Sequence, residues 1–349
     1  MGISPSLQAP DSSGTPAQIE PRASSKRPNP IEAGSEPPHH VRGRHRRGIP
    51  TATGANATTM APPTTKPQRA PRASTFDSET GGYRVPMSDY STEHQFALEI
   101  AKLGGSIAGE HYRNDPQRSR KDDGSWVTEA DIAAEGAIRE HIASAWPDHN
   151  ILGEEEGLTS ASGSDPVEGA PTWVIDPIDG TNNFMSEIPV WATLVALRVD
   201  GRSVVGVVYA PALNETYDAA LGEGARFNGH RITVNPVDSL DRATIFFGGE
   251  KSFYRHELEH LHAELSHEAW RTRGFGDFWG HMLVARGAGH VMLEPSVSLW
   301  DVAALEIILE EAGGRMTHID GTRFSGSGTC LSSNGVLHET VVAMGKAAR

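Results

Sequence analysis

The chain has 349 residues, with 45 acidic against 31 basic side chains and a formal net charge of −14. That balance argues against non-specific nucleic-acid binding, which needs basic surface to neutralise phosphates, and it suits carboxylates that hold hard cations. The single cysteine, Cys330, excludes an intrachain disulfide and a Cys-rich zinc site. No apolar run approaches the ~20 residues of a membrane helix. With no apolar secretory core near the start, a reducing, cytoplasmic setting is the expectation, with no membrane and no nucleic-acid partner.

Residues 1–86 differ from the rest. They hold 14 of the 23 prolines and carry 11 basic against 6 acidic residues, which leaves about −19 on the remainder. Without apolar periodicity this segment cannot offset its ordering entropy, so a disordered Pro/Arg/Thr-rich extension is expected. His39, His40 and His45 read as part of a solvated basic patch. "MSDYSTEHQFALEIAKLGG" from Met87 reads as a natural protein start, so the native chain is expected to begin near there, with one domain over 87–349.

Helical spacing of Phe96, Ala97, Ile100, Ala101 and Leu103 predicts a helix from Ser91 to His111. A second helix is predicted over 127–146, capped by Thr128 with Asp131 as its capping-box partner. "NILGEEEG" (150–157) reads as a short strand ending in acids, 158–171 as a surface loop, and "TWVIDP" (172–177) as another strand. Residues 190–211 read as two strands turning at Asp200-Gly201, and Asn228-Gly229 marks a further hairpin. A helix is predicted over 251–266, then a helix over "HMLVARGAG" and a strand over 290–294. A strong helix over 298–314 is stopped by Gly313-Gly314, and a strand near 329–333 and a helix from Leu337 end the chain. This mixed order predicts a layered α/β or α+β fold rather than a barrel.

Three segments share one pattern, an apolar element with acids at its end. They are Glu154, Glu155 and Glu156 after "ILG", Asp176 and Asp179 in "WVIDPIDGT", and Asp301 in "SLWDVAAL". Trp300, Val302, Ala303 and Ala304 surround Asp301, and a buried carboxylate needs a cation or strong donors. Each acid has a bland reading: Glu154–Glu156 as a solvated turn, Asp301 as a charge favouring a helix dipole. Together they suit oxygen-ligand binding of Mg²⁺. Asp176 and Asp179 straddle a Pro-Ile turn, so the Ile178 carbonyl can join them, and Gly180 and Thr181 offer amides to a phosphate. Two ions roughly 3.5–4 Å apart would clamp the attacking water and leaving oxygen of a phosphate ester. An aspartyl-phosphate enzyme would show Asp-x-Asp after its strand, whereas the spacing here is Asp-x-x-Asp.

The motifs "GEE" (153–155), "WVIDPIDGTNNF" (173–184), "WDVAALEIILEEAGG" (300–314) and "KDDGSWVTEAD" (121–131) resemble the inositol monophosphatase family of Mg²⁺-dependent, lithium-sensitive phosphatases, over about 90–345. The resemblance implies a five-layered αβαβα sandwich, a homodimer, and two to three Mg²⁺ ions per site, with Mn²⁺ as a substitute. It implies Glu154, Asp176, the Ile178 carbonyl, Asp179 and Asp301 as metal ligands, with Glu155 beside them. Thr181 and Asp131 would orient the attacking water, the Gly180 and Thr181 amides would bind phosphate, and Lys121 would sit on a loop over the metals. Trp126 stands where the family has Pro, and Glu156 is an extra acid with no assigned role.

"EIPVWATLVAL" (187–197), "VGVVYAPAL" (205–213) and "RTRGFGDFWGHMLVARG" (271–287) are similar to the branch that hydrolyses histidinol phosphate. Glu294, seven residues before Asp301, would face the leaving alcohol, where an acid suits histidinol's ammonium and a polyol's hydroxyls alike; Asp277 reads equally as a second contact or as a capping acid before "FWGHMLVA", and Trp191 and Trp279 read as core. Inositol-1-phosphate is the alternative substrate. A non-catalytic binding role, as in relatives associated with the transcription machinery, is the alternative from another class.

Overall fold

The computed structural model describes residues 75–77, 82–84, 89–122 and 124–347. Strands β1 (Thr75–Asp77) and β2 (Gly82–Arg84) pair as a short antiparallel ladder. The rest of the expected disordered extension, its histidines and Met87 lie outside the described residues.

Helix α1 (Ser91–His111) buries Ala97, Ile100, Ala101, Gly104, Gly105 and Ala108 along one face. Its glycines permit close packing, because a Cβ on Gly105 would stand 2.4 Å from the Tyr209 ring. Strands β3 (Arg118–Arg120) and β4 (Trp126–Thr128) form a hairpin that leads into helix α2 (Glu129–Ala145). The predicted capping box is present: the Thr128 amide donates to Asp131 Oδ2 at 2.8 Å, and Thr128 Oγ1 accepts the Ala130 amide at 3.2 Å.

The first sheet contains β5 (Asn150–Gly153), β6 (Gly157–Ser160), β7 (Thr172–Asp179), β8 (Ala192–Val199), β9 (Arg202–Ala210), β10 (Glu215–Ala220), β11 (Arg226–Phe227) and β12 (His230–Arg231). Its order is β12-β11-β10-β9-β8-β7-β5-β6, parallel only between β5 and β7. Helix α3 (Thr181–Met185) joins β7 to β8. The second sheet contains β13 (Thr244–Phe247), β14 (Arg271–Arg273), β15 (Val291–Ser298), β16 (Arg315–Thr317) and β17 (Ser327–Ser333), in the order β14-β13-β15-β17-β16. The remaining helices are α4 (Glu250–Arg255), α5 (Glu259–Glu268), α6 (Asp277–Ala285), α7 (Leu299–Glu311) and α8 (His338–Ala347).

Side-chain alternation sorts these elements into five layers. Ile175, Val195, Val205 and Val207 point to one face of the first sheet, against Ala97, Ile100, Ile138 and Ile142 of α1 and α2. Val174, Leu194, Ala196 and Val208 point to the other face, against α6 and α7. The same middle layer meets Phe246, Met292 and Cys330 of the second sheet. Ile245, Phe247, Leu293 and Leu331 face outward under Phe253, Leu261, Leu265 and Val341 of α4, α5 and α8. The result is the αβαβα sandwich. Because the first sheet is covered on both faces, long stretches of its central strands, Val174–Ile175, Leu194–Leu197 and Val204–Val208, are buried with small or apolar side chains pointing both ways, although most pairs are antiparallel.

Several sequence expectations change. The loop predicted from 158 begins later, because Gly157–Ser160 pairs with β5 as a hairpin. The helix predicted over 251–266 is two helices, broken where Glu257 takes a left-handed φ of 57°. The helix predicted from His281 starts at Asp277. Strands β13, β14 and β16 carry short, unalternating sequences that periodicity did not reveal; they form by pairing with distant strands.

Candidate active site

The site lies where β7 ends. In a regular strand, residues three apart point to opposite faces. Between β7 and β8 the register slips, so that Asp176 faces Leu194 while Asp179 faces Ala192. This bulge places one extra residue on β7, and Pro177 within it has no amide to give a ladder. The Pro177 carbonyl instead accepts the Thr193 hydroxyl at 2.8 Å, and the Ile178 amide donates back to Asp176 Oδ1 at 3.0 Å. Asp176, Asp179 and Asp301 each bring a carboxylate oxygen within 4.8 Å of the others.

Asp301 arrives from the start of α7. One of its oxygens accepts the Ser298 amide at 2.7 Å in a capping box. Its predicted helix-start role and its place in the acid cluster therefore coexist. Asp179 Oδ2 accepts the Phe278 amide at 2.6 Å, at the start of α6. After β7, Gly180 adopts φ 87°, which suits glycine, and caps α3 at Thr181.

Burial pushes the Asp176 carboxyl well up, and Glu154, Asp179, Asp301 and Asp131 add repulsion. Burial, then Asp277 and Asp301, does the same to Asp179. Burial raises Asp301 to about 7. These acids converge with too little positive charge between them.

Lys121 supplies part of the missing charge. Its Nζ donates to Glu154 Oε1 at 2.7 Å and Glu155 Oε1 at 2.8 Å. Burial works to lower the ammonium's pKa, but the hydrogen bonds and charges of the two glutamates outweigh it and raise it. Burial raises Glu155 to about 7 even beside that lysine. Buried, convergent, oxygen-only donors with an excess of negative charge fit a hard divalent cation.

Asp131 is fully buried, and burial raises it to about 6. Its Oδ2 accepts the Thr128 hydroxyl at 2.6 Å, while Oδ1 is buried without a partner. The Thr181 hydroxyl donates to the Ile178 carbonyl at 3.0 Å. Among the described residues, Thr181 and Asp131 share no hydrogen bond; the predicted pairing would need the Thr181 hydroxyl to turn. A cleft of about 200 Å³ opens over Thr181 and Ile178, lined also by Trp126, Glu154, Asp176, Gly180 and Asp301 among others. Arg120 lies over the Trp126 ring at 4.5 Å, so this aromatic side chain forms part of the cleft's rim where the family motif has Pro.

A second cavity of about 100 Å³ adjoins the cluster, lined by Asp179, Asp277, His281, Glu294, Ser296 and Asp301 among others. Burial, then the Asp277 charge, raises Glu294 to about 8. Its Oε1 accepts the Asp277 amide at 3.2 Å, and Gly248 leaves it room: a Cβ there would lie 1.9 Å from Glu294 Oε2. Asp277 has a left-handed φ of 56°, and Asn183 holds it by donating to Oδ2 at 2.8 Å. His281 Nδ1 shares a 2.7 Å hydrogen bond with the Ser332 hydroxyl, and burial lowers the ring to about 3, so it is neutral.

The structure thus gathers Glu154, Glu155, Asp176, Ile178, Asp179, Gly180, Thr181 and Asp301 with Lys121, and it puts Asp277 and Glu294 at the adjoining cavity. Trp191 is buried against Phe184, and Trp279 donates to Glu215 at 3.1 Å, so neither is a substrate platform. Sequence reading missed His281, Ser296 and Asn183, whose roles depend on residues far away in the chain. It also missed Glu135, although Asp131 and Glu135 sit four apart on one helix face.

A buried acid cluster at the end of a strand, inside an αβαβα sandwich that the inositol monophosphatase family model matches, marks a metal-dependent phosphatase, a phosphoric monoester hydrolase acting on small phosphate monoesters. Residues 89–347 match the inositol monophosphatase family model, and the chain belongs to that family. It is 42% identical over 221 residues to a histidinol-phosphatase of Mycobacterium tuberculosis, covering 62% of this chain and 83% of the relative. It is 38% identical over 267 residues to a histidinol-phosphatase of Streptomyces coelicolor, covering 73% of this chain and 97% of the relative. Among solved structures it is similar to the Thermotoga maritima IMPase, with TM-score 0.65 and 31% identity over 74% of this chain and 98% of that one. Among the described residues, no helix is long and apolar enough to cross a membrane.

Proposed function

We propose that the protein hydrolyses L-histidinol phosphate to L-histidinol in histidine biosynthesis, with Mg²⁺ as its cation. The observation that carries this reading is the acidic cavity beside the cluster. Glu294 and Asp277 line it together with a neutral His281; burial raises both carboxyls, and an entering ammonium group would favour their charged forms and be held by them. The histidinol-phosphatase relatives support the same substrate.

In this reading Glu154, Asp176, the Ile178 carbonyl, Asp179 and Asp301 hold the divalent cations. The bound cations supply charge neutralisation and a more acidic attacking water. The Gly180 and Thr181 amides receive phosphate oxygens at the turn into α3. Asp131, raised to about 6 by burial, is poised to take a proton near neutral pH, and Thr181 orients the water once its hydroxyl leaves the Ile178 carbonyl. Glu155 and Lys121 adjust the charge at the rim. Two to three cations per site, Mn²⁺ as a substitute, lithium inhibition, a homodimer and a cytoplasmic location complete the proposal.

The test is phosphate release with Mg²⁺ from L-histidinol phosphate and inositol-1-phosphate, with and without lithium. A strong preference for the first supports the proposal. A preference for the second moves the enzyme to inositol phosphate and removes the assigned role of the acidic cavity.

A further inference from the structure

The turn that carries Glu154 and Glu155 closes the β5–β6 hairpin, and the Glu154 amide donates to the Ile175 carbonyl at 3.2 Å, but the Glu155 and Glu156 amides are held from outside the sheet. Helix α2 holds them through a buried ion pair. Glu135 is fully buried. Its Oε2 accepts the Glu155 amide at 2.9 Å, and its Oε1 accepts the Glu156 amide at 3.0 Å. Arg139, one helical turn on, donates from Nε to Glu135 Oε1 at 2.8 Å. The same guanidinium donates to the Gly157 carbonyl at 2.7 Å and to the Thr159 hydroxyl at 3.1 Å. Gly153 leaves space for the carboxylate, since a Cβ there would stand 2.1 Å from Glu135 Oε1. One carboxylate and one guanidinium thus engage the turn's backbone from Glu155 to Gly157, and Arg139 reaches on to the Thr159 side chain.

We propose that Glu135 and Arg139 are positioning residues that set the cation affinity of the site, by fixing the turn from which Glu154 and Glu155 project. Three observations support this. The pair is charged and buried, an expensive arrangement where α2 is already anchored by Ala134, Ile138 and Ile142 in the core. Its hydrogen bonds run to the backbone of the turn rather than only within the helix. The same helix carries the buried Asp131 one turn earlier, so a single rigid element bears both Asp131 and the pair that holds the acid turn. The arrangement also gives the extra acid a place: the Glu156 carboxylate lies 3.6 Å from Arg139 Nε with its side chain largely exposed, on the side of the pair. Its amide, not its carboxylate, serves the turn.

This inference rests on the divalent-cation reading of the acid cluster, and the test separates the two. Mn²⁺ binding to the cation-free full chain is measured by paramagnetic resonance titration for the parent, Glu135→Gln and Arg139→Lys. Glu135→Gln should weaken Mn²⁺ binding by about 10–100-fold, the usual loss when a group supporting a ligand is changed. Arg139→Lys keeps a charge beside Glu135 but loses the fork to Gly157 and Thr159, and should weaken binding a few-fold. In turnover, the Mg²⁺ concentration needed for half-maximal rate should rise while the rate at saturating Mg²⁺ is largely kept. In the cation-free state, hydrogen exchange of the Glu155 and Glu156 amides, read by NMR, should be slow in the parent and fast in Glu135→Gln. Folded variants that bind Mn²⁺ as the parent does would overturn the proposal, and so would unchanged exchange at the two amides. Should Glu135→Gln not fold, Arg139→Lys decides by the same titration. A parent that binds no Mn²⁺ overturns the cation reading and the affinity claim with it, while the exchange result still judges the contact.

Discussion

The two sheets use the same device and put it to different ends. In β7 the bulge runs Asp176-Pro177-Ile178-Asp179; in β15 the register slips in the same way across Glu294-Pro295-Ser296-Val297. Each begins with an acid followed by a proline that cannot donate to the ladder. In the first, the fourth residue is a second acid and a Gly-Thr turn follows, so the carboxylates and that turn line one cleft. In the second, the fourth residue is apolar, and the bulge becomes a wall of the small adjoining cavity, to which it contributes one carboxylate, Glu294. On the proposed function the comparison separates chemistry from selection: the first bulge would collect charge for the reaction, and the second would shape the space for the alcohol.

Substitutions on the two bulges should therefore fail differently. Asp179→Asn is the severest. The amide oxygen can still accept the Phe278 amide, so the fold persists, but turnover of any phosphate monoester should drop by several orders of magnitude. Without cations its melting temperature should rise, because one of the mutually repelling acids is gone. Near-normal turnover would remove Asp179 from the cation site. Glu294→Gln should act on one substrate only, lowering kcat/KM for L-histidinol phosphate by about 10–100-fold, the range for a lost hydrogen bond to a charged group, and changing inositol-1-phosphate far less. An equal loss on both substrates would erase the distinction between the bulges.

Acidity gives a further separation. Asp131, Glu155, Asp301 and Glu294 titrate at about 6, 7, 7 and 8 in the cation-free fold. Ordinary carboxylates titrate near 4, so between those values the folded chain binds more protons than the unfolded one. These groups therefore stabilise the cation-free fold at low pH; that stability is fully present below about 4 and is lost progressively as pH rises from about 4 to about 8. Melting with chelator should occur at progressively lower temperature over that range, and saturating Mg²⁺ should flatten the part due to the acid cluster while leaving the part due to Glu294. A cation-free melting temperature that climbs over the same range would contradict the assigned protonation.

Two smaller effects remain. Asn183→Ala removes the donor that holds Asp277 and the Val190 carbonyl, at a cost of about 1 kcal/mol. It should raise KM for L-histidinol phosphate with kcat little changed. Glu156→Gln should leave Mn²⁺ binding within about two-fold of the parent, since its carboxylate lies outside the cluster. A loss as large as that of Asp179→Asn would make Glu156 a ligand.

Local chemistry was legible in the sequence. The limits of α1, the Thr128 cap of α2, the turns at Asp200-Gly201 and Asn228-Gly229, and the stop of α7 at Gly313 each follow from neighbours within a few residues. The acids of the cluster could be named for the same reason, since three short motifs carry them. Tertiary structure alone decided how those acids are aimed. An unbulged β7 would send Asp176 and Asp179 to opposite faces, and the bulge exists because β8 pairs across it. The contact of Asn183 with Asp277, that of Phe278 with Asp179, and the meeting of Glu294 with Asp179 at one cavity join segments remote in the chain. Periodicity reports only which face a side chain takes on its own element; which distant side chain it meets there is set by the packing of five layers.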